Sequence, residues 1–244
     1  MSSTAANLFN LYKQALQNTE GWFSPSLLKV ILAISDAQSL AGCQGWLIEW
    51  GVHHGRGLAV LGLAAGAEEW VLGLDCFGEQ ELNRCGSGKG SLEATRATLT
   101  SLLGADHRVQ LYATNLLKFE AQQLGSLLQS LPGGYAPVRL AHIDGDHTEQ
   151  GALNDLQCAA PHMHDRGVIL LDDVFNPDWP EVGGAFHRFL AQHPDWKSVG
   201  VAYSRTILCQ LPFAHNVRDA LTTFPHRRAL FRQEPFIVLE WIDE

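Results

Sequence analysis

The chain is poor in basic residues: 17 Lys and Arg stand against 26 Asp and Glu, a formal net charge of −9 over 244 residues. No run of Lys or Arg offers the surface that nucleic acid or an anionic membrane requires, so no partner of either kind is expected, and substrates carrying many phosphates are disfavoured. Long apolar runs are missing too. None approaches the ~20 residues needed to span a bilayer. The opening segment MSSTAANLFNLYKQ lacks the basic and apolar regions of a signal peptide, which predicts a cytoplasmic protein. There is no C-x-x-C pair. The five cysteines (Cys43, Cys76, Cys85, Cys158, Cys209) are an odd number and read as free thiols in a reducing compartment rather than a disulfide frame or a zinc site. Repeats, low-complexity tracts and a domain linker are absent as well. The expectation is one domain over residues 1–244, with a helical extension over 1–40, a core over 41–211 and a C-terminal extension over 212–244.

What is present is apolar and patterned: 46% of residues are hydrophobic and 18% charged, enough for a sizeable core. Residues 45–76 organise the rest. Trp46 to Trp50 reads as a buried strand, Gly51, Gly55 and Gly57 as a turn, Leu58 to Ala67 as an apolar helix, and Trp70 to Asp75 as a second strand. This is the strand–helix–strand unit of a parallel α/β sheet, whose ligand crevice lies beyond the carboxyl ends of its strands. Gly51 and Asp75 both fall there. The glycines let backbone approach a ligand, the next helix offers free N–H groups, and an acid about twenty residues past the turn suits both hydroxyls of a ribose. An adenosine-containing cofactor follows. The spacing Glu49-x-Gly51-x-x-x-Gly55-x-Gly57 is looser than a dinucleotide fingerprint. Glu49 repels a pyrophosphate and attracts the ammonium of an amino-acid tail such as that of S-adenosylmethionine. A tight turn in an ordinary Rossmann-like unit is the plainer alternative.

Helical spacing marks residues 4–18 and a second helix from Pro25 through Ile34, which either cover the mouth of the site or pad one sheet face. After Asp75 a polar, glycine-rich segment ends at a helix over 91–103. Its Gly86-Ser87-Gly88-Lys89-Gly90-Ser91 fails the phosphate-loop pattern and reads as a flexible loop over the cofactor. Further strands are predicted at Arg108 to Ala113, Val138 to Ile143 and Gly167 to Leu171, with helices at Glu120 to Leu131 and Thr148 to His164. Two last strands, Trp196 to Tyr203 and Thr206 to Leu211, are joined only by Ser204 and Arg205, which allows a hairpin and forbids a parallel crossover. The tail holds a short helix and an apolar stretch from Phe236 to Trp241, an edge strand or a homodimer contact. The predicted fold is α/β: a doubly wound, mostly parallel seven-stranded Rossmann-like sheet with an antiparallel C-terminal hairpin and extra N-terminal helices.

Asp144, Asp146, Asp172 and Asp173 arise at the ends of two strands on the same rim as Gly51 and Asp75. Such convergence calls for a cation or a shared proton. Oxygen-only ligands favour Mg²⁺ or Mn²⁺, which would orient a substrate hydroxyl while a base, Asp146 or His147, takes its proton. Helix capping is the competing role for Asp146. Thr114 and Asn115 either touch an adenine or turn the chain, and His53 and His54 in the glycine turn either meet the ligand or face solvent. Trp179 is a candidate wall of the substrate pocket.

Residues 49–57 resemble motif I of the class I S-adenosylmethionine-dependent methyltransferases. Together with LDCF, the SGKG loop, AHIDGDHTEQGALNDL, RGVILLDDVFNPDWPEV and the closing hairpin, they resemble the methyltransferase domain 24 type over roughly residues 40–211. The resemblance implies transfer of a methyl group from S-adenosylmethionine to a hydroxyl of a small molecule or sugar. Implied cofactor contacts are Glu49, Gly51, His54, Gly55, Gly57, Asp75, Cys76, Asn115 and Asp144. In the metal-dependent O-methyltransferases of macrolide sugars and of the catechol type, aspartates at these strand ends bind Mg²⁺. The matching positions are Asp144, Asp172 and Asp173, with Asp146 similar to the proposed base. The catechol type has Asp-Asn where Asp172-Asp173 stand, and the usual Leu-x-x-Gly-Gly before the fifth strand is His164-Asp165-Arg166-Gly167. A non-catalytic module on the same fold and an NAD(P)-dependent oxidoreductase are the alternative classes.

Overall fold

The computed structural model describes residues 3–84 and 86–239; Cys85 and the end of the terminal apolar stretch, Trp241 included, lie outside them. Two helices lead, α1 (Ser3–Ala15) and α2 (Leu27–Leu40). Strands and helices then alternate: β1 (Trp46–Trp50), α3 (Arg56–Ala64), β2 (Val71–Asp75), α4 (Leu92–Leu103), β3 (Val109–Ala113), α5 (Ala121–Ser130), β4 (Val138–Ile143), α6 (Glu149–Ala159), β5 (Met163–Leu171), α7 (Pro180–Gln192) and β6 (Trp196–Ala202). The chain closes with β7 (Arg205–Gln210), α8 (Ala214–Leu221), β8 (His226–Phe231) and β9 (Glu234–Leu239). Helix starts follow local chemistry. Ser91 accepts from the Ala94 N–H at α4, Thr148 from the Gly151 N–H at α6, and Glu120 with Gln123 forms a capping box at α5.

The strands form one sheet in the order β3-β2-β1-β4-β5-β7-β6-β9-β8. The first five are parallel, and β7 runs antiparallel to both β5 and β6. Nine strands replace the expected seven, because the tail adds β9 parallel to β6 and β8 antiparallel to β9. The terminal apolar stretch is therefore an inner strand, and β8 is the edge. At Gly200 an added Cβ would come within 2.5 Å of the Ile237 carbonyl oxygen, so the absent side chain lets β9 close on β6.

Side chains alternate between two cores. Leu47, Leu140, Leu170 and Ile207 face α2, α3 and α8, while Ile48, Ala141, Ile169 and Leu208 face α5, α6 and α7. The winding reverses at β1, between β2 and β4, and this opens a crevice at the carboxyl ends of those strands. Three boundaries correct the sequence reading. Helix α6 ends at Ala159, a 3₁₀ turn over Ala160–His162 carries Pro161, and β5 begins at Met163. Helix α7 fills a stretch to which the sequence assigned no element. The closing hairpin turns on Tyr203 and Ser204, both at positive φ (48° and 76°), so Arg205 belongs to β7 rather than to the turn. No helix among the described residues is long and apolar enough to cross a membrane.

Candidate active site

A cavity of about 600 Å³ opens at this rim. Gly51, Asp75, Cys76, Asp144, Asp146, His147, Asp172 and Asp173 line it. Gly51 sits at φ 79°, and a Cβ there would come within 1.9 Å of the Asp144 carbonyl oxygen, so only glycine lets β1 turn against the end of β4. Asp75 binds the same turn from the other side: its Oδ2 accepts from the N–H groups of Val52 (2.6 Å) and His53 (2.8 Å), and its Oδ1 accepts from Phe77 N–H. The acid thus shapes the glycine turn as well as facing the cavity. The glycine-rich loop does lie over this end: a Cβ on Gly90 would come within 2.9 Å of Asp75 Oδ1.

Several predicted contacts fall elsewhere. Gly55 and Gly57 are absent from the cavity wall; Gly55 caps α3 in the left-handed conformation beside Thr95, and Gly57 faces Glu49. His54 turns to the Lys89 carbonyl (3.1 Å) and stacks on His53, which itself lines the cavity. Asn115 turns the chain by accepting from the Leu117 N–H (3.1 Å), while Leu116 and Leu117 line the wall in its stead. Glu49 is 2% exposed and faces the sheet interior, its Oε1 2.8 Å from His142 Nδ1. Burial pushes the Glu49 carboxyl well above the usual range, and nearby Asp144 adds to the shift.

The acidic rim is held by two nitrogen-bearing side chains. Arg205, 3% exposed, places NH2 2.8 Å from Asp172 Oδ2 and 3.5 Å from Asp144 Oδ2. Asp172 is further engaged at Oδ1 by the Asp173 N–H (2.8 Å) and the Ser204 hydroxyl (2.6 Å). Burial and Asp144 push Asp172 up to about 8, against the pull of Arg205. Burial also opposes the charge on Asp144, but His147 and Arg205 outweigh it and hold that carboxyl below its usual range. His147 Nε2 lies 3.2 Å from Asp173 Oδ2 and 3.5 Å from Asp144 Oδ1, and its ring stacks on Trp179 with centroids 4.5 Å apart. On its other side Nδ1 meets the Ser87 hydroxyl at 3.0 Å.

Asp146 is committed to the start of α6. Its Oδ1 accepts from the Thr148 N–H (2.9 Å) and the Thr148 hydroxyl, and its Oδ2 is buried. The expected metal set of Asp144, Asp172 and Asp173 does not converge as a donor triad. Among the described residues the groups whose ligand atoms lie within 4.8 Å of one another are His142–Asp144–Asp172 and Asp144–His147–Asp173. In the first, Arg205 touches all three members; in the second, His147 bridges the two carboxylates. The residues present therefore do not fit the predicted three-carboxylate magnesium site. Cys43, Cys158 and Cys209 are buried free thiols, and Cys76 is a half-buried one on the cavity wall.

Comparison with known families adds the chemistry. Residues 48–174 match the family model described as a methyltransferase domain, of the type 24 group. The chain belongs to this methyltransferase family. No curated protein matches its sequence. The methyltransferase shares its fold with the O-methyltransferase NovP at 16% identity and TM-score 0.61, covering 77% of this chain and 80% of that one. An O-methyltransferase from Bacillus cereus, solved with S-adenosylhomocysteine, aligns at 18% identity and TM-score 0.53 over 85% and 90% of the two chains. MycE from the mycinamycin pathway, solved with Mg and S-adenosylhomocysteine, aligns at 14% identity and TM-score 0.53 over 83% of this chain and 54% of its own.

Sequence reasoning missed Arg205, Ser87, Trp22 and the Leu116–Leu117 wall. Trp22, in the connection between α1 and α2, lines the cavity while 76% exposed, so the N-terminal extension does reach the mouth. The available signal for Arg205 was its type. A cation at the start of an apolar strand, in a chain short of cations, needs a partner.

Proposed function

We propose that the methyltransferase binds S-adenosylmethionine at the Gly51–Asp75 end of the cavity and methylates a hydroxyl oxygen of a small molecule or sugar at the His147–Trp179 end. The observation that supports this most is the single cavity joining the two ends. A glycine turn too close to Asp144 for any side chain lies at one, and an imidazole flanked by two carboxylates lies at the other. When bound, the cofactor supplies an electrophilic methyl group on a sulfonium. The chain's own residues do the rest. The Gly51 turn, fixed by Asp75, and the apolar wall of Leu116 and Leu117 hold the adenosyl portion. Trp179 offers a flat face to the acceptor.

His147 takes the acceptor's proton. With Nε2–H donating to Asp173 or Asp144, Nδ1 is the basic nitrogen, and the Ser87 hydroxyl marks where an acceptor O–H donates to it. The imidazolium so formed is stabilised by both carboxylates. Asp146, bound to Thr148, keeps the turn that carries His147 in place. Magnesium is seen with MycE; here Asp172 is engaged by Arg205, Ser204 and backbone, and no step is assigned to a metal.

The test is calorimetric titration with S-adenosylhomocysteine, followed by transfer of labelled methyl from S-adenosylmethionine to a panel of hydroxylated acceptors. Binding at one site and label in an ether product are expected. Failure to bind S-adenosylhomocysteine would sink the proposal.

A further inference from the structure

His142, Asp144 and Asp172 present one ligand atom each within 4.8 Å of the others, the geometry of a cation site. That position is filled by the protein. Arg205 Nε lies 3.4 Å from His142 Nε2, and Arg205 NH2 lies 2.8 Å from Asp172 Oδ2 and 3.5 Å from Asp144 Oδ2. The remaining donors are also used, since NH1 reaches the Ser204 hydroxyl (2.9 Å) and the Tyr203 carbonyl (3.2 Å). All three guanidinium nitrogens thus have acceptors, and the group lies over the Phe23 ring with its carbon 5.0 Å from the centroid. His142 is held in turn by Glu49 at 2.8 Å. A guanidinium tied on so many sides is part of the framework, and a divalent ion entering beside it meets a like charge.

We infer that Arg205 is the resident cation of this acidic rim, a positioning residue that takes the place a bridging metal would hold between Asp144 and Asp172. Asp172 is then a partner of Arg205 and not a metal ligand. Whatever divalent ion the protein binds, it binds without Asp172. The inference rests on this cavity being the methyl-transfer site, which the S-adenosylhomocysteine titration tests separately.

The experiment is calorimetric titration of Mn²⁺ into wild type, Asp172→Asn, Arg205→Met, Arg205→Lys and the Arg205→Met/Asp172→Asn double variant. Each is first titrated with S-adenosylhomocysteine to establish an intact cofactor site. Wild type and Asp172→Asn should give the same Mn²⁺ isotherm. Arg205→Met, which leaves two carboxylates uncompensated, should bind Mn²⁺ about tenfold more tightly or better. The double variant should lose that gain, and Arg205→Lys, which keeps the charge, should behave as wild type. A wild-type Mn²⁺ isotherm abolished by Asp172→Asn while S-adenosylhomocysteine still binds would overturn the inference. So would an Arg205→Met protein that binds the cofactor product and gains no Mn²⁺ affinity. The wild-type and Asp172→Asn comparison stands even if the Met variant fails to fold.

Discussion

His147 is where the proposed chemistry concentrates, and its surroundings separate two effects that a single substitution usually confounds. Its ring touches Asp144, Asp173, Ser87 and Trp179, whereas the glycine turn is tied by Asp75 to the backbone of Val52 and His53. His147→Ala should therefore cut methyl transfer by roughly 10²–10⁴-fold, the usual worth of a positioned general base. S-adenosylhomocysteine affinity should stay near wild type, and an equal loss in both would assign the ring to binding. His142 makes the opposite kind of prediction. Burial and Arg205 push its pKa down to about 3 from the 6.5 of an unfolded chain. Below pH 6.5 the unfolded chain takes up a proton that the folded one refuses, so the stability of the neutral ring is complete above 6.5 and lost progressively towards 3. Urea midpoints should fall between pH 6.5 and 5 more steeply for wild type than for His142→Gln; parallel slopes would contradict a neutral, buried His142. Gly51, Asp75 and the aspartates at the ends of β4 and β5 were legible because strand ends and turn residues carry local signatures. Arg205 was not. Its role comes from β5 and β7 being neighbours, and nothing within two residues of it announces that pairing.

Among the elements, β1 to β4 were legible to within a residue, since each is a short, mostly apolar run with a clear stop, although β5 starts four residues before its expected Gly167. Helix α7 was hidden by its composition: Gly183 and Gly184 lower its intrinsic helicity, and what makes it helical is the buried stripe of Val182, Ala185, Phe186, Phe189 and Leu190. Strand β8 was hidden for another reason. An edge strand with exposed Arg227, Arg228 and Leu230 has no clean alternation to read. The contact of β9 with β6 yields a direct prediction. At Gly200 a side chain meets the Ile237 backbone at 2.5 Å and Leu221 at 3.0 Å, so Gly200→Val should force the two strands apart. The expected cost is about 1–3 kcal/mol of the kind seen for overpacked cores, read as a lower urea midpoint. S-adenosylhomocysteine should still bind to whatever fraction is folded, because the Gly51–Asp75 end of the cavity lies on β1 and β2. An unchanged midpoint would mean that the outer strands contribute little.

Across the whole molecule, the sheet carries charge at both ends for different purposes. Near the start of β4, Arg139 is 2% exposed and forks onto Glu69 (2.6 and 2.7 Å), while also reaching Gln38, Ser35 and the Ala64 carbonyl. This fixes α2 and the end of α3 to the sheet, far from the rim. Arg139→Met should leave the half-buried Glu69 with only the Gly45 and Gly66 N–H groups as partners, at a cost of about 1–3 kcal/mol. Chemical denaturation should show that loss, with methyl transfer per folded molecule unchanged; reduced transfer at full folding would mean that the two ends communicate. At the rim, the two-residue turn of Tyr203 and Ser204 has a consequence for how this protein varies over evolutionary time. Leu47 and Glu49, Leu140 and His142, and Arg205 and Ile207 all project to the same face only because each strand keeps its phase. One residue gained or lost in that turn would swing Arg205 to the opposite layer and bury its charge among Ile48, Ala141 and Ile169. Descendants of this chain can therefore change turn length in pairs or abandon the arginine, and those that abandon it expose an acid pair ready to acquire a metal.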